Sequence, residues 1–179
     1  MRFSKIAALF LLAFSLALSS FSGLSKNIKK KVDKEIKAAF STEFYELKTI
    51  AIASEINADL PVKIKEHTFF TIVSGDQKLG YAFVDKAPSK TDEFDYLVLF
   101  DADLIIKKTK VLVYREDYGG EIGSKRWLKQ FNGKSCKERL KYEKDIIAIS
   151  GATISANSMT VAVNNLLKSI DQLQRQKII

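Results

Sequence analysis

The sequence predicts an α+β fold, with a mostly antiparallel sheet packed by an N-terminal and a C-terminal helix. Three observations predict it. Apolar residues recur at helical spacing near both ends of the chain, and runs rich in β-branched and aromatic residues fill residues 67–114. The connections between those runs are short, which favours antiparallel neighbours because parallel strands need long crossovers. Hydrophobic residues make up 46% of the 179-residue chain and charged residues 28%, as in ordinary globular proteins.

Residues 1–22 are typical of a signal peptide. Arg2 and Lys5 give a positive start, residues 6–18 are almost wholly apolar, and small residues suited to cleavage lie between residues 19 and 25. The alternative is a retained membrane anchor, although the run is shorter than the roughly 20 residues that a spanning helix needs. We therefore expect the protein in the periplasm or on the outer face of the cytoplasmic membrane.

Residues 23–60 are predicted to form a helical N-terminal extension, and residues 61–179 the main domain. Apolar residues spaced three and four apart predict a helix over residues 27–41. Its lysines contribute much of the net charge of +8, which falls to +6 without Arg2 and Lys5. Acidic residues lie between these lysines, which favours a solvated helix face over a surface for anionic lipid or an acidic partner. Further on, the sequence is compatible with a strand over 45–52 and a short helix over 54–60 that Ser54 would cap.

Four further strands are predicted, over residues 67–73, 80–84, 96–100 and 104–114. Their connections are a turn at residues 74–76, a polar loop at 86–94 that contains Pro88, and a tight turn at 101–103.

The remainder of the chain combines loops with helices. Residues 115–123 form a glycine-containing loop, and Ser124 is expected to cap a short helix that carries Trp127 and Phe131. Ile146–Ile149 is predicted as a buried strand. A last helix over residues 155–174 should bury one apolar stripe against the sheet, made of Ala156, Met159, Val163, Leu166, Leu167, Ile170 and Leu173.

Several chemistries are excluded by composition. Cys136 is the only cysteine and His67 the only histidine, so neither an internal disulfide nor a metal site of three or four such ligands is expected. No Walker loop, dinucleotide-binding glycine motif or nucleophile elbow is present, and no recognised nucleic-acid-binding module is found. We therefore expect no metal, no catalytic triad and no nucleic-acid partner.

The junction at Ser150-Gly151-Ala152-Thr153 is the strongest candidate for a binding site. It immediately precedes the last predicted helix, and a helix start attracts phosphate through unpaired backbone N–H groups and a positive dipole end. Gly151 would let a ligand approach the backbone, and the hydroxyls of Ser150, Thr153 and Ser155 could bond a phosphate. On physical grounds alone, a helix cap without any ligand remains open, because Ser and Thr are common caps.

The segment Ser150-Gly151-Ala152-Thr153-Ile154-Ser155 resembles the signature of FMN-binding domains, which occur in subunits of the sodium-pumping NADH:quinone reductase and of the Rnf complex. The resemblance extends over residues 66–172 and includes the glycine loop and Trp127. It implies FMN as cofactor, with Ser150, Gly151, Ala152 and Ser155 at the phosphate. It also implies a phosphodiester bond from FMN to Thr153, made by a dedicated flavin transferase. Gly120, Glu121 and Trp127 would lie near the flavin ring.

Two positions depart from the family pattern. Ile147 stands where the family has Asp three residues before the motif, while Asp145 lies two residues earlier. The glycine loop contains Glu-Asp-Tyr-Gly-Gly in place of a form with Thr-Pro. These departures leave open whether the flavin is bound covalently or reversibly.

The predicted function is electron transfer by FMN outside the cytoplasmic membrane, with a membrane or periplasmic redox partner. A carrier or subunit of a larger complex fits better than a self-sufficient reductase, because no second cofactor motif is visible. The alternative is a non-redox binding or scaffold protein that kept the fold but lost flavin attachment, and Ile147 favours this alternative.

Overall fold

A computed structural model describes residues 23–179, and the predicted signal peptide lies outside the described residues. The helices are α1 (Lys26–Phe40), α2 (Ser54–Asp59), α3 (Lys125–Leu128) and α4 (Thr153–Arg175). The strands are β1 (Glu46–Thr49), β2 (Phe69–Ser74), β3 (Gln77–Pro88), β4 (Glu93–Asp101) and β5 (Ile106–Val113). Two 3₁₀ turns, Gly120–Gly123 and Lys129–Phe131, flank α3.

The five strands form one antiparallel sheet in the order β1-β2-β3-β4-β5, so each strand pairs with its neighbours in the chain. Gly75 has a φ of +58°, a conformation that glycine adopts without strain, in the turn between β2 and β3. The longest pairing joins β3 to β4 from Gly80↔Asp101 to Pro88↔Glu93. This meander of strands and its two long helices confirm the predicted α+β class.

The two long helices cover opposite faces of the sheet. α1 buries Ile28, Val32 and Ile36 against one face. α4 packs on the other face, and every residue of its predicted apolar stripe is fully buried. The segment 23–60 therefore supplies a covering helix and also the edge strand β1. Among residues 23–179, no helix is both long enough and apolar enough to span a membrane.

Residues 146–149 do not form the predicted buried strand. Ile146 is buried, but Ile147 is 72% exposed. The backbone N–H of Ile147 donates to Gln130 Oε1 at 2.8 Å, and its carbonyl accepts the indole N–H of Trp127 at 2.7 Å. Because side chains satisfy these backbone groups, the segment needs no neighbouring strand and stays irregular at the surface.

Several predicted boundaries are also wrong. β3 continues to Pro88, because Ala87 and Phe94 pair across the hairpin and both are buried, so the predicted loop over 86–94 shrinks to residues 89–92. His67 has a φ of +62° and lies outside β2. Ser54 does not cap α2, since Ala53 occupies the cap position and makes no side-chain hydrogen bond.

Candidate functional site

The start of α4 lacks a side-chain cap. Ala152 occupies the N-cap position, and no hydroxyl accepts a hydrogen bond from the first turn. The backbone N–H groups of Thr153, Ile154 and Ser155 therefore have no acceptor among residues 23–179. Gly151 has a φ of +81°, and a Cβ added to it would meet no atom within 4 Å. The start of α4 therefore presents backbone N–H donors that no side chain caps. The alternative from the sequence, a Ser or Thr side chain that caps this helix, is wrong.

The glycine loop packs directly against this helix start. Gly119 is buried and has a φ of +84°. A Cβ at this position would lie 2.7 Å from Tyr114 Oη and 3.2 Å from the carbonyl oxygen of Gly151. Glycine is favoured here, because a side chain would strain the backbone, collide with the Tyr114 hydroxyl and crowd the carbonyl of Gly151. The fold therefore joins two segments that lie about thirty residues apart in the chain.

A partly buried hydrogen bond ties α4 to the residue that follows β5. Tyr114 Oη and Ser155 Oγ are 3.0 Å apart, and Ser155 is only 3% exposed. The hydroxyl of Ser155 thus points into the fold, whereas Thr153 and Ser150 are exposed at the helix start. Ala152 is buried beneath them. The motif therefore divides into an inner pair, Ala152 and Ser155, and an outer group, Ser150, Gly151 and Thr153.

The three residues predicted near the ring lie in different surroundings. Gly120 and Glu121 are exposed within the 3₁₀ turn that follows Gly119. Trp127 is 5% exposed, and its ring meets that of Phe131 edge-on at a centroid distance of 5.4 Å. Its indole N–H is already bonded to Ile147, so Trp127 acts in this structure as a packing residue that holds the segment before the motif.

A groove of about 630 Å³ begins at Thr153 and runs between α4 and the segment around Tyr142. Ile154 and Asn157 also line it. The hydroxyl of Tyr142 is buried and has no hydrogen-bond partner within the described part of the chain. A buried hydroxyl without a partner is costly, and this one is covered by the fold, so other atoms of Tyr142 form the wall of the groove.

Glu116 fastens the glycine loop to the β3–β4 hairpin. Its carboxylate accepts from Ser89 Oγ at 2.6 Å, from the backbone N–H and the hydroxyl of Thr91 at 2.6 and 2.8 Å, and from the backbone N–H of Asp92 at 3.2 Å. The hydrogen bonds from Ser89 and Thr91 are the main causes that lower the pKa of Glu116 from 4.5 to about 2. Next to it, Arg115 donates to the carbonyl of Glu93 and pairs with Asp95.

The carboxylate of Glu116 should make folding stability depend on acid. Its pKa is lowered by folding, so its contribution is present above the unfolded value of 4.5 and is lost as the pH falls through about 2. We expect the melting temperature of Glu116→Gln to fall less than that of the wild type as the pH drops through this window. Glu121→Gln is the matched control, because Glu121 lies in the same loop and its carboxylate makes no hydrogen bond or ion pair to residues 23–179. Equal acid sensitivity in all three proteins would refute the role of Glu116.

The structure brings together an uncapped helix start, a glycine loop and a groove. Comparison with protein-family models shows which family this part of the chain is similar to. Residues 90–168 match the family model of the FMN-binding domain. The match runs from the β3–β4 hairpin into α4 and contains every residue that the sequence predicted for the site. It confirms the resemblance and indicates FMN as the cofactor. A search of curated proteins found no match to this chain.

The residues present fit FMN. Unpaired N–H groups at the start of α4 suit its phosphate, and the adjoining groove offers space for the rest of the molecule. Among residues 23–179, no cluster of three or more metal-ligating side chains was found. Sequence reasoning missed Gly119, Tyr114 and Tyr142. The glycine pair could have pointed to Gly119, but no local signal marks either tyrosine.

Proposed function

We propose that this domain is an electron-transfer protein outside the cytoplasmic membrane and that its FMN phosphate lies at the start of α4. The observation that carries the proposal is the uncapped helix start against the glycine loop, within residues that match the FMN-binding domain. Phosphate oxygens would accept hydrogen bonds from the backbone N–H groups of Thr153 and Ile154, where the helix dipole also favours negative charge. Gly151 leaves that approach unobstructed.

The protein would bind and orient the cofactor. Bound FMN supplies one-electron and two-electron redox chemistry, and the surrounding residues set its potential and its exposure to water. The groove beyond Thr153, lined in part by Tyr142 and Asn157, offers space for the rest of the molecule. Gly120, Glu121 and Trp127 remain predicted neighbours of the ring from the glycine-loop side.

Covalent attachment would use the hydroxyl of Thr153. In that step the hydroxyl oxygen gives its proton to a base and forms a bond to phosphorus, while the phosphoanhydride bond of an activated flavin nucleotide breaks and its other phosphate-bearing half leaves with the electron pair. A flavin transferase would supply and activate this donor, and no electrons change hands. Thr153 is exposed and its hydroxyl makes no hydrogen bond to the described residues, so it is accessible to such an enzyme.

The redox partner would be a membrane-bound or periplasmic protein, because a chain of this size without a second cofactor motif fits a carrier or subunit. The proposed location rests on residues 1–22, which lie outside the described part. N-terminal sequencing of protein from the native cell envelope should give a start between residues 19 and 25. An intact Met1 would contradict cleavage and favour the retained anchor.

Titration of the flavin-free protein with FMN tests the function directly. We expect saturable binding, and we expect riboflavin, which lacks the phosphate, to bind at least about tenfold more weakly, because the charged hydrogen bonds at the helix start would be lost. The bound flavin should be reduced and reoxidised reversibly in a spectroscopic redox titration. A folded protein that binds no FMN would instead support the second candidate, a non-redox scaffold, which Ile147 at the family's Asp position favours.

A further inference from the structure

One carboxylate interrupts the apolar face of the sheet beneath α4. The residues of β3 and β4 that face this helix are otherwise apolar or aromatic and buried, and they include Phe83, Ala87, Phe94 and Val98. Asp85 pairs in register with Tyr96, so both side chains lie on this same face. Burial raises the pKa of Asp85. A polar residue that breaks the pattern of a packed face points to a functional position.

Tyr96 adds a second polar group to this face. Its side chain is 1% exposed, yet its hydroxyl forms no hydrogen bond to any described residue. Burial raises the pKa of Tyr96, and so does the charge of Asp85, its partner in the strand register, so the phenol stays protonated as a donor. The Asp85 carboxylate accepts a hydrogen bond from the backbone N–H of Lys86, whereas the Tyr96 hydroxyl keeps its capacity to donate to another molecule.

Asp85 and Tyr96 line a groove of about 450 Å³ between α4, the end of β3 and residues 61–65. This volume is within the range of small-molecule sites. Apolar side chains, among them Pro61 and Val161, form much of the lining. Lys65 also lines it and makes no ion pair with the described residues, whereas Lys86 pairs with Glu93 at 3.5 Å.

We propose that this groove binds a small planar molecule through an amide edge, that is, a hydrogen-bond donor beside a carbonyl. The carboxylate of Asp85 accepts from the N–H of that edge, and the hydroxyl of Tyr96 donates to its carbonyl. Lys65 supplies a further donor at the rim, and the apolar lining holds the ring. This arrangement disfavours a simple anion, which Asp85 would repel, and a simple cation, which the lysines would repel.

Two sources could supply the amide edge. One is a separate small molecule, and the other is the pyrimidine edge of the FMN ring itself. The second source rests on the proposed function. The two grooves adjoin, because Asn157, Ser158 and Val161 line both this groove and the one that begins at Thr153.

Binding of benzamide to the flavin-free full domain, measured by NMR titration, tests the proposal. Acetophenone keeps the carbonyl but lacks the donor, so it should bind more weakly. Tyr96→Phe should weaken benzamide binding about three- to tenfold, the value of one hydrogen bond. Asp85→Ala should weaken it as well. Tyr81→Phe is the matched control, because its hydroxyl accepts from Lys78 outside this groove.

The FMN-loaded protein separates the two sources. If FMN excludes benzamide and Tyr96→Phe also weakens FMN binding, the flavin ring occupies the groove. If loaded and flavin-free proteins bind benzamide equally, the ligand is a separate molecule. If FMN does not bind at all but benzamide still binds Tyr96→Phe more weakly than Tyr81→Phe, the proposed amide site is supported and only the proposed function fails. If Tyr96→Phe and Tyr81→Phe bind both probes like the wild type, the proposal is overturned.

Discussion

Replacing Thr153 with Val is expected to abolish covalent attachment of FMN and to leave the protein folded. The substitution keeps the shape of the side chain and removes the only oxygen that the motif resemblance implies as the acceptor. The side chain is exposed and makes no hydrogen bond within residues 23–179, so the melting temperature should change by no more than about 1–2 °C. Production with the flavin transferase, denaturation and intact-mass measurement would show the loss.

Reversible flavin binding should survive in Thr153→Val, because the phosphate would be held by backbone N–H groups that the substitution keeps. Thr153→Ser is the matched control, since it restores a hydroxyl and should recover attachment. In the wild type, the flavin should map to the peptide that contains residue 153. Flavin that remains covalently bound to Thr153→Val would place the attachment at another residue.

The efficiency of attachment should depend on Ile147. The sequence predicted this residue inside a buried strand, where a new carboxylate would be costly. The structure instead exposes 72% of it, so Ile147→Asp should be tolerated. If the transferase reads the family's acidic residue, covalent loading per folded molecule should rise in this variant. Unchanged loading would show that recognition lies elsewhere in the domain.

The structure of α4 and of the sheet was predictable because the signals are local. An apolar stripe at helical spacing is buried when that face of the helix packs against the core. All seven predicted residues of α4 are buried in this way. The apolar run Ile146–Ile149 carried an equally local signal and was misleading. Its outcome was decided by Gln130 and Trp127, whose side chains bond the backbone of Ile147 from 17 and 20 residues away.

The site residues also divide into those that a local sequence signal predicts and those that depend on contacts between distant segments. Ser150, Gly151, Ala152 and Thr153 are contiguous, so their position at a helix start could be inferred from order alone. The contact of Gly119 with Gly151, the bond from Tyr114 to Ser155 and the unpaired hydroxyl of Tyr142 depend on how distant segments meet. No spacing in the sequence encodes such contacts.

The packing of α4 on the sheet should fail when Val163 is replaced by Asp. Val163 is fully buried in the core that α4 shares with the sheet, and a carboxylate there would lack both water and a cationic partner. We expect a loss of roughly 3–5 kcal/mol in the free energy of unfolding, a large share of the about 5–15 kcal/mol that stabilises a typical domain.

Val161→Asp is the matched control for this prediction. It makes the same substitution two residues away on the same helix, but Val161 is 50% exposed, so the carboxylate keeps its water. We expect a change within about 0.5 kcal/mol for this variant. Urea unfolding followed by circular dichroism would measure both values, and the melting temperature of Val163→Asp should fall by roughly 6–20 °C. Similar stabilities for the two variants would mean that the face of α4 carrying Val163 does not pack against the sheet, and the placement of the Thr153 helix start beside the glycine loop would then lose its structural support.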